Sequence, residues 1–208
     1  MPVSSRPVTI ILAVLLALLA LGLGGALILA VHGTVPTALI SNPGFEDGKI
    51  GEPASGWLNG GEWAGYPARL SDARPRTGRL CGFLASDPSS RVRDYGVLSQ
   101  MIETTQLKNQ FIRLRLAARS ELRAPDGRAN FFCRVDRISE QPLFEQRSIN
   151  DRRWRDYVVI LRVPKDAIRM QMGVTLINEG KVWVDDAGLD LWRRTVPRPW
   201  IQFMRCLH

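Results

Sequence analysis

IRLRLAA (residues 112–118) puts Ile112, Leu114, Leu116 and Ala118 on one side of an extended chain and Arg113 and Arg115 on the other. Successive side chains of a strand point to opposite faces, so this pattern predicts a strand with one buried face. The same period of two runs outward in both directions. NFFCRVD (130–136) aligns Phe131, Cys133 and Val135; DYVVILRVP (156–164) aligns Tyr157, Val159, Leu161 and Val163. IRMQMGVTL (168–176) aligns Ile168, Met170, Met172, Val174 and Leu176. KVWVDDAGLDLW (181–192) aligns Val182 and Val184, slips between Asp185 and Gly188, and resumes at Leu189 and Leu191; the slip predicts a bulge or turn. GRLCGFLAS (78–86) and VLSQMIE (97–103) are two further strands. Turn residues separate the runs at 86–90, 125–127, 163–166 and 178–180. Seven or eight strands with polar outer faces predict an antiparallel β-sandwich. No long amphipathic helix is visible, and IETTQLKNQ holds one turn at most.

The organisation of the remaining chain follows. Residues 8–31 hold no charged side chain and nothing strongly polar beyond Thr9. As a helix, 24 residues reach about 36 Å, enough for a hydrocarbon core of roughly 30 Å. Residues 1–7 then form a cytoplasmic N-terminus, 8–31 a transmembrane helix or signal anchor, and 32–38 a linker. Residues 39–192 form the sandwich, and 193–208 a basic, aromatic tail. Arg6 flanks the near side and no Lys or Arg follows until Lys49, which leaves the C-terminal domain outside, in a periplasm or on the cell surface. A cleaved signal peptide is the alternative.

Composition excludes several chemistries. The only two histidines are His32 and His208, at the edges of this part, so no histidine triad or multi-histidine metal site sits within it. The net charge of +8 comes from 28 Lys and Arg against 20 Asp and Glu. It is either an ordinary solvated surface or an attraction to anionic envelope polymers or lipid headgroups. No Lys/Arg run of the kind that binds nucleic acid occurs. Cys81, Cys133 and Cys206 form no CxxC. Cys81 and Cys133 either pair in an oxidising compartment, leaving Cys206 free, or are small apolar residues of core strands.

Four separated motifs carry a family resemblance. LISNPGFEDGKIGEPASGW (39–57) resembles the opening of a bacterial jelly-roll module, and VWVDDAGLDL (182–191) resembles its closing strand. GVLSQMIETTQLKNQFIRLRLAARSE and WRDYVVILRVPKDA resemble its middle strands. The family is the galactose-binding-like jelly roll, in particular carbohydrate-binding modules of the family four/nine type, over residues 39–192. The resemblance implies an all-β jelly-roll sandwich, here preceded by one transmembrane helix. It implies that the first and last strands meet, with Glu46 near Asp186, positions that help hold structural calcium in many such modules. The other reading of these acids is pairing with arginines or with a turn. Phe45 and Trp57 are expected in the core.

The resemblance implies sugar binding by exposed rings. The candidates are Trp63, Tyr66, Tyr95 and Trp183, with Arg113 and Arg115 as a charged rim. No nucleophile elbow, HExxH, Walker loop or dinucleotide fingerprint occurs, so binding rather than catalysis is expected. A pair of acids, for example Glu62 with Glu103, could in principle act as a glycosidase dyad, but nothing in the sequence supports their convergence. Two functions follow. One is a membrane-anchored extracytoplasmic module for a carbohydrate or envelope polysaccharide. The other is a structural or protein-interaction domain of the cell envelope that kept the fold without sugar binding.

Overall fold

The structure is a computed structural model that describes residues 39–89, 94–123 and 125–192. The expected membrane segment 8–31, the linker 32–38 and the tail 193–208 lie outside the described residues. Among the described residues no helix is long and apolar enough to cross a membrane. The sandwich lies wholly within one compact unit, Pro36–His208.

Ten strands follow in order: β1 (Leu58–Gly60), β2 (Ala68–Ser71), β3 (Cys81–Ala85), β4 (Tyr95–Ile102), β5 (Phe111–Leu122), β6 (Arg128–Arg137), β7 (Leu143–Ser148), β8 (Arg155–Arg162), β9 (Ala167–Ile177) and β10 (Gly180–Leu191). They form two antiparallel five-stranded sheets. Sheet I runs β1-β4-β9-β6-β7 and sheet II runs β2-β3-β10-β5-β8. All seven expected strands are present. The slip in β10 is a register shift between Asp185 and Gly188 against β5. Ile168, expected inward, is exposed, because the β6–β9 register shifts near the start of β9.

The core lies between the sheets. Leu98, Ile102, Phe131, Val135, Met170, Met172 and Val174 meet Leu84, Ile112, Leu114, Leu116, Val159, Val182 and Val184, all buried. Each such side chain stabilises the fold by about 1.5–3 kcal/mol through removal from water. Cys81 and Cys133 are buried free thiols, the first in sheet II and the second in sheet I, and pack as small apolar side chains of their strands.

The opening motif is structural. Asn42 and Asp47 bond reciprocally through the Asn42 amide, at 3.1 Å each, and turn the chain. That turn drives Phe45 into the core, 4.6 Å from the Trp57 ring centre. A Cβ on Gly82 would lie 2.6 Å from Phe45 and 2.8 Å from Val184, so a glycine there lets the opening segment reach the last strand. The Pro43 carbonyl accepts the Ala187 N–H at 2.8 Å. The two chain ends of the sandwich therefore meet, as the resemblance implied.

Candidate functional site

The outer face of sheet I is built by the odd partners of the core residues. Val97 and Ser99 of β4, Gln171 and Thr175 of β9, and Asn130 and Phe132 of β6 share it. Strand β1 closes one edge, with Leu58 opposite Ser99 and Gly60 opposite Val97. Beyond β1 the chain makes a single 3-10 turn, Glu62–Ala64, with left-handed Gly61 and Gly65 at its two ends. A side chain on Gly61 would collide with the Tyr95 carbonyl at 2.6 Å, so the loop lies directly on the start of β4.

This loop holds two of the candidate rings in opposite situations. Ala64 and Tyr66 are its anchors. Tyr66 is only 2% exposed, and its hydroxyl donates to the Asp94 carbonyl at 2.6 Å. Trp63, between the anchors, is 82% exposed, and Tyr95, one residue past Asp94, is 55% exposed. Trp63 and Tyr95 line one open groove of about 350 Å³ together with Leu58, Asn59, Asp94, Val97, Ser99 and Gln171. The sequence expectation of an exposed Tyr66 ring is therefore corrected: it positions Trp63 from below. Asn59, Ser99 and Gln171 were not anticipated. Gln171 was legible as the polar residue between the inward Met170 and Met172; Asn59 carries no local signal.

The groove floor is polar. The Gln171 amide donates to the Ser99 hydroxyl at 2.9 Å. The Asn59 amide donates to Glu62 at 3.0 Å, and Glu62 is also paired with Arg69. The Arg69 contact, with help from Asn59, holds the Glu62 carboxyl below its ordinary value. Oδ1 of Asn59 is buried with no hydrogen-bond partner among the described residues. Across Gly173 the face continues to Phe132, whose ring stacks on Phe144 with centres 5.9 Å apart.

The other candidates lie on the opposite layer. Trp183 does face away from the core, as its phase requires, yet it is 6% exposed. Arg119 and the segment 72–79 cover it. Arg119 donates to the Ala73 carbonyl at 2.8 Å, and Trp154, outside the inward set of β8, donates to that of Arg74 at 3.0 Å. Trp183 is thus corrected from an open ring to a covered one. Arg113 and Arg115 are on the outer face of sheet II, both bonded to Asp190 at 3.0 and 3.1 Å, and rim no groove with Trp63.

Glu46 and Asp186 converge on one segment without touching each other's ligands. Glu46 accepts the backbone N–H groups of Arg79 and Leu80 at 2.8 and 3.0 Å, and these bonds lower its affinity for a proton. Asp186 accepts the Thr77 hydroxyl at 2.7 Å and faces the Arg76 guanidinium at 3.5 Å. Calcium needs six to eight oxygens free to turn toward it. Here N–H and guanidinium donors occupy the carboxylates, and no cluster of three metal-ligating side chains exists among the described residues. The arrangement does not fit calcium and fits the arginine reading.

Glu62 and Glu103 do not form a dyad. Glu62 follows Gly61, which lies against Tyr95 at the start of β4, and Glu103 follows the other end of that strand. Eight residues of strand separate them by about 27 Å, against roughly 5–9.5 Å for glycosidase pairs.

No family model matches the chain. It is 22% identical over 158 residues to the "Uncharacterized HTH-type transcriptional regulator YbfP" of Bacillus subtilis (strain 168), covering 73% of this chain and 53% of that protein. The chain thus spans about half the length of this curated relative. Among solved structures, TmCBM61 in complex with beta-1,4-galactotriose aligns with a TM-score of 0.52 at 16% identity, over 74% of this chain and 98% of its own. The C-terminal family 22 carbohydrate-binding module of Clostridium thermocellum Xyn10B aligns at 0.55 and 12%, over 76% and 96%. The fold is shared with carbohydrate-binding modules. A cyclase from Fischerella sp. TAU also has it, at 0.55 and 13%, over 76% and 96%. These likenesses speak for fold alone, since function resides in the site.

Proposed function

We propose that residues 39–192 are a non-catalytic carbohydrate-binding module, and that its ligand lies in the groove on the outer face of sheet I. One observation carries the reading: two exposed rings, Trp63 and Tyr95, share an open groove whose floor holds Ser99 and Gln171. Ring faces take the apolar side of a pyranose, and the Gln171 amide and Ser99 hydroxyl match its hydroxyl groups. That two modules of this fold are described with β-1,4-galactotriose and as xylan-binding supports a glycan as the ligand class. The motifs at 39–57 and 182–191 favour the four/nine type within that fold.

Residues 8–31 would anchor the module in a membrane, with the N-terminus cytoplasmic and the module outside; the support is their length, apolarity and the position of Arg6. A protein-interaction domain without sugar binding would have no need to keep both rings open over a polar floor.

A polysaccharide array probed with the fragment 36–208 tests the reading. The fragment is complete as a folding unit, because its core residues run from Ile40 to Ala187. Retention by a glycan, lost in Trp63→Ala and Tyr95→Ala, is the expected result. Absence of binding to every polysaccharide would retire it.

A further inference from the structure

Sheet II has its own outer face, on the side of the sandwich away from the groove. The segment 72–79 covers the part around Trp183. The part at the start of β5 is open. Register puts Phe111 opposite Arg162, Arg113 opposite Ile160 and Arg115 opposite Val158, all on this face. Trp192 joins them: its N–H donates to the Phe111 carbonyl at 2.7 Å, and Arg113 lies 5.2 Å from its ring centre. Phe111, Val158, Ile160 and Trp192 are all exposed large apolar residues. The result is one apolar patch interleaved with three arginines; Arg113 and Arg115 pair with Asp190, and Asp156, itself paired with Arg76, also faces Arg115.

The patch chemistry selects its occupant. The chain that continues from Trp192 carries Arg193, Arg194, Arg198 and Arg205 and no acid, so its charge has the same sign as that of the patch and is not complementary to it. A soluble anionic polymer would answer the arginines but leave Val158 and Ile160 in water. An anionic lipid surface answers both, since headgroups attract arginine while aromatic and aliphatic side chains enter the acyl boundary. We infer that this face of sheet II docks on an anionic membrane surface, with Phe111, Ile160 and Trp192 as the inserted groups and Arg113, Arg115 and Arg162 on the headgroups. This inference is independent of the glycan reading, which concerns the opposite sheet.

Vesicle flotation of the fragment 36–208 tests it. Flotation with phosphatidylcholine vesicles containing phosphatidylglycerol, absence with phosphatidylcholine alone, and release by salt are expected. Each arginine near an anionic surface contributes about fivefold in affinity. Ile160→Ser/Arg162→Glu, two exposed positions on edge strand β8, is therefore expected to weaken binding by at least about tenfold with an unchanged melting curve. Arg162→Ala alone, about fivefold, keeps the test valid if the double variant unfolds. Equal flotation on neutral vesicles, flotation unaffected by these substitutions (which would assign binding to the tail), or binding to soluble polygalacturonate without flotation each overturns the inference.

Discussion

Arg119 holds its guanidinium carbon 3.8 Å from the centre of the Trp183 ring and 5.4 Å from that of Trp154. Nε of Arg119 and Nε1 of Trp183 have no hydrogen-bond partner among the described residues, so ring contact, packing and the Arg119 bond to the Ala73 carbonyl hold the stack. Burial lowers the proton affinity of Arg119 without discharging it. A desolvated cation–π contact contributes roughly 2 kcal/mol. Trp183→Ala is therefore expected to cost about 3–5 kcal/mol of stability, read from urea unfolding, as for other buried large aromatic residues. Trp63→Ala, at an exposed turn, is expected to change stability by less than about 0.5 kcal/mol while losing glycan retention. Equal stability losses in the two variants would erase the distinction drawn between them.

The second prediction concerns pH. Asp185 is buried, and burial raises its pKa from 3.8 to about 6 although three backbone N–H groups bond it. A folded pKa above the unfolded one means the folded chain takes up a proton that the unfolded chain has released. This group therefore adds stability as pH falls from above 6 towards 4, and no more below that. Glu46, Asp136, Asp156 and Asp166 are shifted downward by hydrogen bonds and arginines, so their contribution is present above their ordinary values and lost below. The melting midpoint is expected to rise between pH 7 and pH 5 and fall again in stronger acid. No histidine among the described residues titrates in that window. Asp185→Asn is expected to flatten the rise; an unchanged rise would place its origin elsewhere.

Burial also pushes the thiols of Cys81 and Cys133 up to about 12. Thiolate, not thiol, reacts with disulfide reagents. A Cys206→Ser chain is expected to show no fast thiol in the native state and two after denaturation. Oxidation to an intramolecular Cys81–Cys133 bridge would contradict their placement as unpaired, buried thiols.

The strands were legible wherever one face is buried and the other wet, because that contrast imposes the period of two on β5, β6, β8, β9 and β10. Strand β7 was not, since all six of its residues are exposed and no contrast arises. β1 and β2 are too short to display a period. At the site, Trp63 and Tyr66 stand three apart in one Gly-rich stretch and look alike locally. What separates them is whether a ring reaches across to Asp94, a partner 28 residues away from Tyr66. The phase of Trp183 was readable, but its cover comes from a segment more than a hundred residues earlier.

The last prediction concerns the meeting of the chain ends. Glu46 bonds the N–H groups of Arg79 and Leu80, and Asp185 bonds those of Arg76 and Thr77. Arg76 adds an ion pair with Asp156, so one short segment ties the opening motif, β8 and β10 together. A carboxylate that accepts several N–H bonds is a strong acceptor, and each orphaned donor costs about 1–3 kcal/mol where buried. Glu46→Ala is therefore expected to lower stability by about 1–3 kcal/mol, reduced by the partial exposure of Arg79. Because these donors satisfy the carboxylates without a metal, the melting midpoint is expected to be the same in chelator and in added calcium. A calcium-dependent rise that disappears in Glu46→Ala would show that the carboxylates turn toward a metal and release the segment's N–H groups to do so.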